Sequence, residues 1–400
     1  MPLSREEIIQ IENRHMANTY NRRGVVAVGG KDAVIWDLNG RRYIDCMAGY
    51  GTNIIGHSNE RVIKAIKEQA EKILSCHISL YNDARAEFVS KIINVVPKGL
   101  DMVFMSNSGS ESVESAIKIA RRHTGRHEII AMMRSYHGKT LGALSATWDS
   151  KYRSPFGPLL PEFKFVPYGR AERVKEAIND NTAAVIVEPI QGEGGVYVAP
   201  DGFLKELREI TEEKDVVLIF DEIQTGFGRT GRFFACEHWG VTPDLLCLAK
   251  AGASGIPIGI TVGCSDVMSS LKVGEHTSTF GGNPMQCVAA SATIDVIREG
   301  RLWEKAETVG NFFMGLLRGL GEKYRIVRDV RGLGLMVAVE LRFDVLHIIQ
   351  RMLEEGIIIL DAGVNVIRFL PPCVITKEQI STVAEKLDVC MAEEEKKRLS

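Results

Sequence analysis

From Asp101 to about Glu222, five short apolar runs alternate with helix-like stretches, and that alternation constrains the fold more than any other feature of the chain. The runs are MVFMSN, HEIIAMM, FKFVPYG, TAAVIVEPI and DVVLIFDEI, four to seven apolar residues in each core. They are too short for buried helices and lack polar alternation, so they read as strands covered on both faces of a mostly parallel sheet. In such a sheet, functional residues are expected at the C-terminal ends of the strands. A further apolar run, DLLCLAK, ends on Lys250 and is followed by small residues, Ala251 to Gly255.

The flanks read differently. Ser4 to about Tyr20 is an amphipathic helix, with Ser4 as N-cap and Glu7 at the capping-box position. Val34–Trp36 and Tyr43–Cys46 form a hairpin turning at Asn39-Gly40, and helices follow at about 60–75 and 83–95. After a helix at about 284–298, a smaller α+β unit begins near Arg301: helix 301–320, strands RIVRDVRG and LGLMVAVEL, helix 343–356, the segment IIILDAGVNVIRFLPP and a closing helix at 377–394. The expected division is therefore residues 1–60 joined to the small domain, 61–300 as the large domain, and 301–400 as the small one.

Composition excludes several classes. A net charge of -2 with mixed signs offers no duplex-binding surface, and no uncharged apolar stretch of membrane-spanning length occurs. The eight cysteines are scattered, with no CxxC pair or zinc-like spacing, and read as reduced thiols; no metal is expected. The N-terminus has no apolar signal core, so a cytoplasmic protein is expected.

Lys250 and four further constellations carry chemistry. Lys250 lies among residues that cannot pair its charge, which suits an amine of lowered pKa used as a nucleophile; a lysine snorkelling from a strand end is the plainer alternative. Ser108-Gly109-Ser110 joins a strand to a helix, where free N–H groups and hydroxyls suit a single phosphate; a simple serine N-cap explains the same residues. Tyr136, just past HEIIAMM, could stack on a flat ligand or pack in the core, and His137 alone carries little weight. Asp221 breaks the end of an apolar strand and needs a cationic partner, such as a protonated ring nitrogen, while Glu222 points the other way by the strand period. Arg368 likewise interrupts an apolar strand, and Glu193, in a glycine-rich turn, is the carboxylate set against it. An amine, a ring-nitrogen partner and a phosphate grip are the three requirements of pyridoxal 5'-phosphate.

Those residues fall in NSGSES at 107–112, SYHGKT at 135–140, EPIQGEGG at 188–195, FDEIQTGFGRTG at 220–231, LAK at 248–250 and HTSTFGGNP at 276–284. In order and spacing they resemble the class III pyridoxal-phosphate aminotransferases over essentially the whole chain. The resemblance implies fold type I, with a seven-stranded, mostly parallel sheet in the large domain. It implies Lys250 as the Schiff-base lysine and proton carrier, and Asp221 at the pyridine nitrogen. Gln224 would lie near the phenolic oxygen, and Ser108, Gly109 and Ser110 at the phosphate. Tyr136 would stack on the ring, with His137 and Glu188 also at the cofactor. Thr279 would reach the phosphate of a partner subunit, making a homodimer with shared sites the minimum unit and a tetramer the alternative. Glu193 and Arg368 would form the switch that admits 2-oxoglutarate, with Lys139 and Tyr50 beside the substrate.

Two departures bear on the substrate. GASG at 252–255 stands where relatives usually have three glycines, and Lys139 stands where users of N-acetylornithine or 4-aminobutyrate commonly have arginine. HGK resembles the putrescine enzymes, whereas SATW, KYRSPF and the short chain resemble archaeal enzymes of lysine and arginine biosynthesis. The expected reaction moves a terminal amine of putrescine, N-acetylornithine or N-acetyllysine type to 2-oxoglutarate, giving an aldehyde and glutamate. A 4-aminobutyrate or ornithine aminotransferase is the next reading. A racemase of the same fold would not need the Glu193–Arg368 pair, and a scaffold that merely keeps the fold would not need Lys250 and Asp221 together.

Overall fold

The computed structural model describes residues 3–399. Its centre is a seven-stranded sheet, whose strands are numbered here in chain order: β1 (Met102–Ser106), β2 (Glu128–Met132), β3 (Phe163–Val166), β4 (Thr182–Val187), β5 (Val217–Asp221), β6 (Leu245–Leu248) and β7 (Gly259–Gly263). Their spatial order is β1-β7-β6-β5-β4-β2-β3. Only β7 runs against its neighbours. The mostly parallel α/β fold expected from the apolar runs is therefore present.

The two faces of the sheet feed two cores, and the strand period decides which side chain enters which. Val217 and Ile219 of β5 join the core that includes Val113, Ala116, Ile117 and Ala120 of the helix Gly109–Thr124, while Leu218 and Phe220 join the opposite one. The spacing of those four helix residues puts them on one face. Asp221 shares parity with Val217 and Ile219, so the end of β5 directs it to the side where that helix begins. Glu222, on the other parity, is fully buried and accepts the N–H groups of Ala235 and Cys236 and the Thr225 hydroxyl.

The C-terminal unit is an antiparallel sheet of Val327–Leu333, Met336–Leu341, Val366–Phe369 and Leu360–Ala362, packed on by helices Leu302–Lys323 and Leu346–Glu354. The closing helix Lys377–Leu399 lies against both helices. It extends past the expected 394, its charged end carrying an Arg398–Glu394 pair one turn apart. The N-terminal hairpin forms as expected, with Val34–Asp37 against Arg42–Asp45. Ala27–Lys31 pairs with Val34–Asp37 as a third strand, and a fourth comes from far along the chain, because Ile357–Ile358 pairs in parallel with Ile44–Asp45. The first helix has the expected capping box but spans Arg5–His15, ending short of Tyr20. It buries no residue, so nothing tertiary supports another turn, and Met16 is extended.

Candidate active site

The C-terminal edge of β1, β5 and β6 opens into a cavity of about 370 Å³. Lys250 stands on its wall in the turn after β6, at φ +37°, a conformation that few side-chain-bearing residues adopt. Burial pushes its amine's pKa down; the Glu193 carboxylate opposes that and the Arg368 guanidinium adds to it. An amine in that setting is a better nucleophile near neutrality than a surface lysine.

Across the cavity, Asp221 is only 5 % exposed. Its Oδ2 lies 2.7 Å from His137 Nδ1, and its Oδ1 accepts the Ile223 N–H. The other ring nitrogen of His137, Nε2, is buried without a partner. His137 thus earns its place through Asp221, a contact across 84 residues of sequence. Glu188 lies beneath, accepting the N–H groups of Tyr136 and Gly192. Burial pushes its carboxyl up to about 7, with His137 lowering and Asp221 raising it.

At one end of the cavity, the helix Gly109–Thr124 begins. Ser108 caps it by accepting the Glu111 N–H, and the N–H groups of Gly109 and Ser110 have no acceptor within the helix. The capping and anion-binding readings of this turn are therefore compatible. Space here is tight: a Cβ on Gly109 would sit 2.9 Å from Ile223 Cδ1, and one on Gly138 (φ +136°) would overlap Ser110 Oγ. Tyr136 lines the same cavity, its hydroxyl pKa pushed up by burial.

Arg368 is fully buried on the strand Val366–Phe369 and lies behind the wall. Its Nη1 is 2.7 Å from Glu193 Oε1 and 3.2 Å from Gln224 Oε1, and Nη2 donates to the Asp361 carbonyl. Burial alone would raise the Glu193 carboxyl, but Arg368, with Lys250 and Lys151 adding to it, holds it below its ordinary value. Glu193 and Gln224 both line the cavity, so the pair is a carboxylate lid over a buried guanidinium.

Three expected residues stand elsewhere. Lys139 is exposed and outside the cavity wall, its Nζ 5.0 Å over the Tyr152 ring. Its backbone N–H donates to Ser110 Oγ, and Ser110 does line that cavity, while the Lys139 ammonium rests against Tyr152. Thr279 is exposed, lining a separate cavity with His276 and Phe280. Tyr50, at φ +59° and 46 % exposed, is outside the wall as well; burial raises its hydroxyl pKa, with Arg23 opposing and Asp361, Glu193 and Arg368 acting more weakly. Residues to which the sequence reading gave no role also line the cavity, among them Thr52, Asn107, Ile190 and Ile223. The last three stand within the quoted motifs, whereas Thr52 had no signal.

A buried carboxylate, an orphaned imidazole nitrogen, a depressed lysine amine and a tightly spaced helix start fit pyridoxal phosphate, and together they define a site for its chemistry. The sequence pattern of the class-III aminotransferases matches residues 15–391, and the chain belongs to that family, whose members depend on pyridoxal phosphate. It is 43 % identical over 397 residues to an acetylornithine aminotransferase of Methanocaldococcus jannaschii, covering 98 % of this chain and 99 % of that protein. It is 46 % identical over 375 residues to a [LysW]-aminoadipate semialdehyde transaminase of Deinococcus radiodurans, covering 93 % of this chain and 87 % of that one. The crystal structure of ornithine aminotransferase from Toxoplasma gondii superposes with a TM-score of 0.95 at 35 % identity, over 99 % of this chain and 97 % of that one. The protein is thus an aminotransferase, taking an amine donor and a keto-acid acceptor.

Proposed function

We propose that the protein transfers the terminal amino group of a diamine or acylated diamino acid, of putrescine, N-acetylornithine or N-acetyllysine type, to 2-oxoglutarate, releasing an aldehyde and glutamate. The observation that carries this reading is the 2.7 Å Glu193–Arg368 pair. With the pair closed, Arg368 is engaged and does not offer its guanidinium to a carboxylate of the donor, which suits a plain terminal amine. When a dicarboxylate arrives, Glu193 can swing out on its glycine-flanked turn, and Arg368 takes the acceptor's carboxylate with a bidentate fork. A racemase needs no such exchange. The names of the relatives from M. jannaschii and D. radiodurans support the acylated-donor reading.

In this reading Lys250 Nζ would hold the cofactor and carry the proton removed from the donor carbon. The N–H groups of Gly109 and Ser110, with the Ser108 hydroxyl, would hold its phosphate. Asp221, held by His137, would keep its ring nitrogen protonated; Tyr136 and Gln224 would help hold the ring, and Glu188 supports the loop carrying Tyr136 and Gly192. Bound there, the cofactor supplies the electron sink that makes the donor carbon acidic. Thr279 would complete the phosphate site of a partner subunit in a homodimer.

The test is single-turnover conversion of the bound cofactor to its amine form with putrescine, N-acetylornithine, N-acetyllysine, 4-aminobutyrate, ornithine and both alanine enantiomers, followed by 2-oxoglutarate. Fast conversion by the first three, reversed by 2-oxoglutarate, is expected. Conversion by alanine enantiomers with loss of chirality, and no reversal by 2-oxoglutarate, would sink the proposal.

A further inference from the structure

The Lys250 cavity continues past Tyr136. A second cavity of about 790 Å³, roughly twice as large, shares Tyr136 and Glu193 as wall residues with the first. Two tyrosines on its wall each carry two cations. Lys139 and Lys151 stand 5.0 and 4.7 Å from the centre of the Tyr152 ring, and Arg134 and Arg331 stand 4.7 and 4.1 Å from that of Tyr197. Four cations on two neighbouring rings repel one another unless anions intervene. The chain supplies anions for two of them: Asp149 lies 3.4 Å from Lys151, and Asp329 and Glu340 lie 2.8 and 2.7 Å from Arg331. Among the described residues no carboxylate pairs with Arg134 or Lys139.

Of these two, only Arg134 lines the outer cavity. Its backbone is held at φ +67°, and its carbonyl presses so closely on the loop carrying Glu193 that a Cβ on Gly194 would lie 2.5 Å from it. Its guanidinium is spread on the Tyr197 ring, an arrangement that leaves its edge donors available for a planar anion. An exposed arginine that rests on the Tyr197 ring, has no carboxylate partner among the described residues and lines a roomy chamber next to the reacting cavity is a binding element for an anion.

We infer that Arg134 is a specificity-determining residue that takes the carboxylate at the far, blocked end of the amino donor while the donor's terminal amine lies at Lys250. This rests on the terminal-amine reading above and deepens it: the outer chamber selects donors that are anionic at the end remote from the reacting amine. It also gives the work expected of Lys139 to a residue five positions earlier.

The experiment compares the wild-type holoenzyme with R134Q and R134K in the donor half-reaction, using N-acetylornithine, which has the carboxylate, and putrescine, which lacks it. For R134Q, the half-saturating N-acetylornithine concentration should rise about 10- to 100-fold with the saturated rate retained, and that for putrescine should change less than about threefold. R134K, keeping charge without the fork, should fall between, and it carries the test if R134Q does not accumulate. Calorimetry with N-acetylnorvaline, an acylated amino acid with no terminal amine, should show the same loss of affinity in R134Q. Equal changes for both donors, or unchanged N-acetylnorvaline binding, would overturn the assignment of Arg134. If the wild type binds N-acetylnorvaline in an Arg134-dependent way yet converts no acylated donor, the anion site stands and the substrate reading above is what fails.

Discussion

A carboxylate at the end of an apolar strand is costly unless it finds a polar partner, and Asp221 has one inside the chain in the His137 imidazole, at 2.7 Å. That contact holds the carboxylate where a ring nitrogen can face it. Replacing Asp221 by Asn should keep the shape but lose the charge, slowing single-turnover donor conversion roughly 10²- to 10³-fold. Stopped-flow absorbance of the bound cofactor reads this directly, and an unchanged rate would remove Asp221 from the mechanism. Glu188 makes a stability prediction. Its carboxyl is raised to about 7 in the folded chain, so between about pH 4.5 and 7 the folded state holds a proton that the unfolded state has lost. Stability should therefore fall as pH rises through that window, and Glu188→Gln should flatten the slope in urea unfolding followed at several pH values. At this scale the sequence was informative wherever a residue violated its surroundings. Lys250, Asp221 and Arg368 are each a charge in an apolar run, and the need for a partner pointed to Glu193. It was silent where a partner depended on tertiary approach, as with His137, and where a side chain's direction mattered, as with Lys139.

Two glycines show how elements are held at contact distance. A Cβ on Gly192 would overlap Gln224 Oε1, the atom that accepts from Arg368. Gln224 is flexible enough to move, so Gly192→Ala should fold normally while loosening the Arg368 site. The expected result is a several-fold higher KM for 2-oxoglutarate with little change for the donor, and equal effects on both would count against this account. Gly310 is different, because a Cβ there would run into the backbone of Gly334, in the turn between Val327–Leu333 and Met336–Leu341. Gly334 itself presses on the backbone of Thr230. Backbone cannot step aside as a side chain can, so Gly310→Ala should cost about 1–3 kcal/mol, measured as a lower denaturation midpoint. The strands of the large sheet were legible from apolar runs, because burial on both faces removes every other choice. Element ends were less so: the first helix stops at His15 because it buries nothing, a fact about its neighbours rather than its own residues.

For the molecule as a whole, one chain leaves apolar surface exposed. Ile73, Leu74, Ile78, Leu80 and Tyr81 lie in one segment, and Phe280 is 61 % exposed beside Thr279. We propose a second copy of the chain as the occupant of that surface, so sedimentation should give twice the 44.2 kDa chain mass. Tyr81→Asp should shift the equilibrium towards monomer, and Thr279→Ala should weaken cofactor affinity about tenfold without changing the mass. A monomer with full cofactor affinity would rule the shared site out. The pairing of Ile357–Ile358 with Ile44–Asp45 also bears on how the chain is made. The strand Arg42–Asp45, an edge until Ile357–Ile358 joins it, leaves the ribosome more than three hundred residues before that partner, which at typical synthesis rates is roughly 15–60 s. For that interval its hydrogen-bonding groups are open to any passing strand. The interval in which a nascent chain is most exposed to mispairing, and most in need of a chaperone, is thus set by the distance along the gene between two short strands.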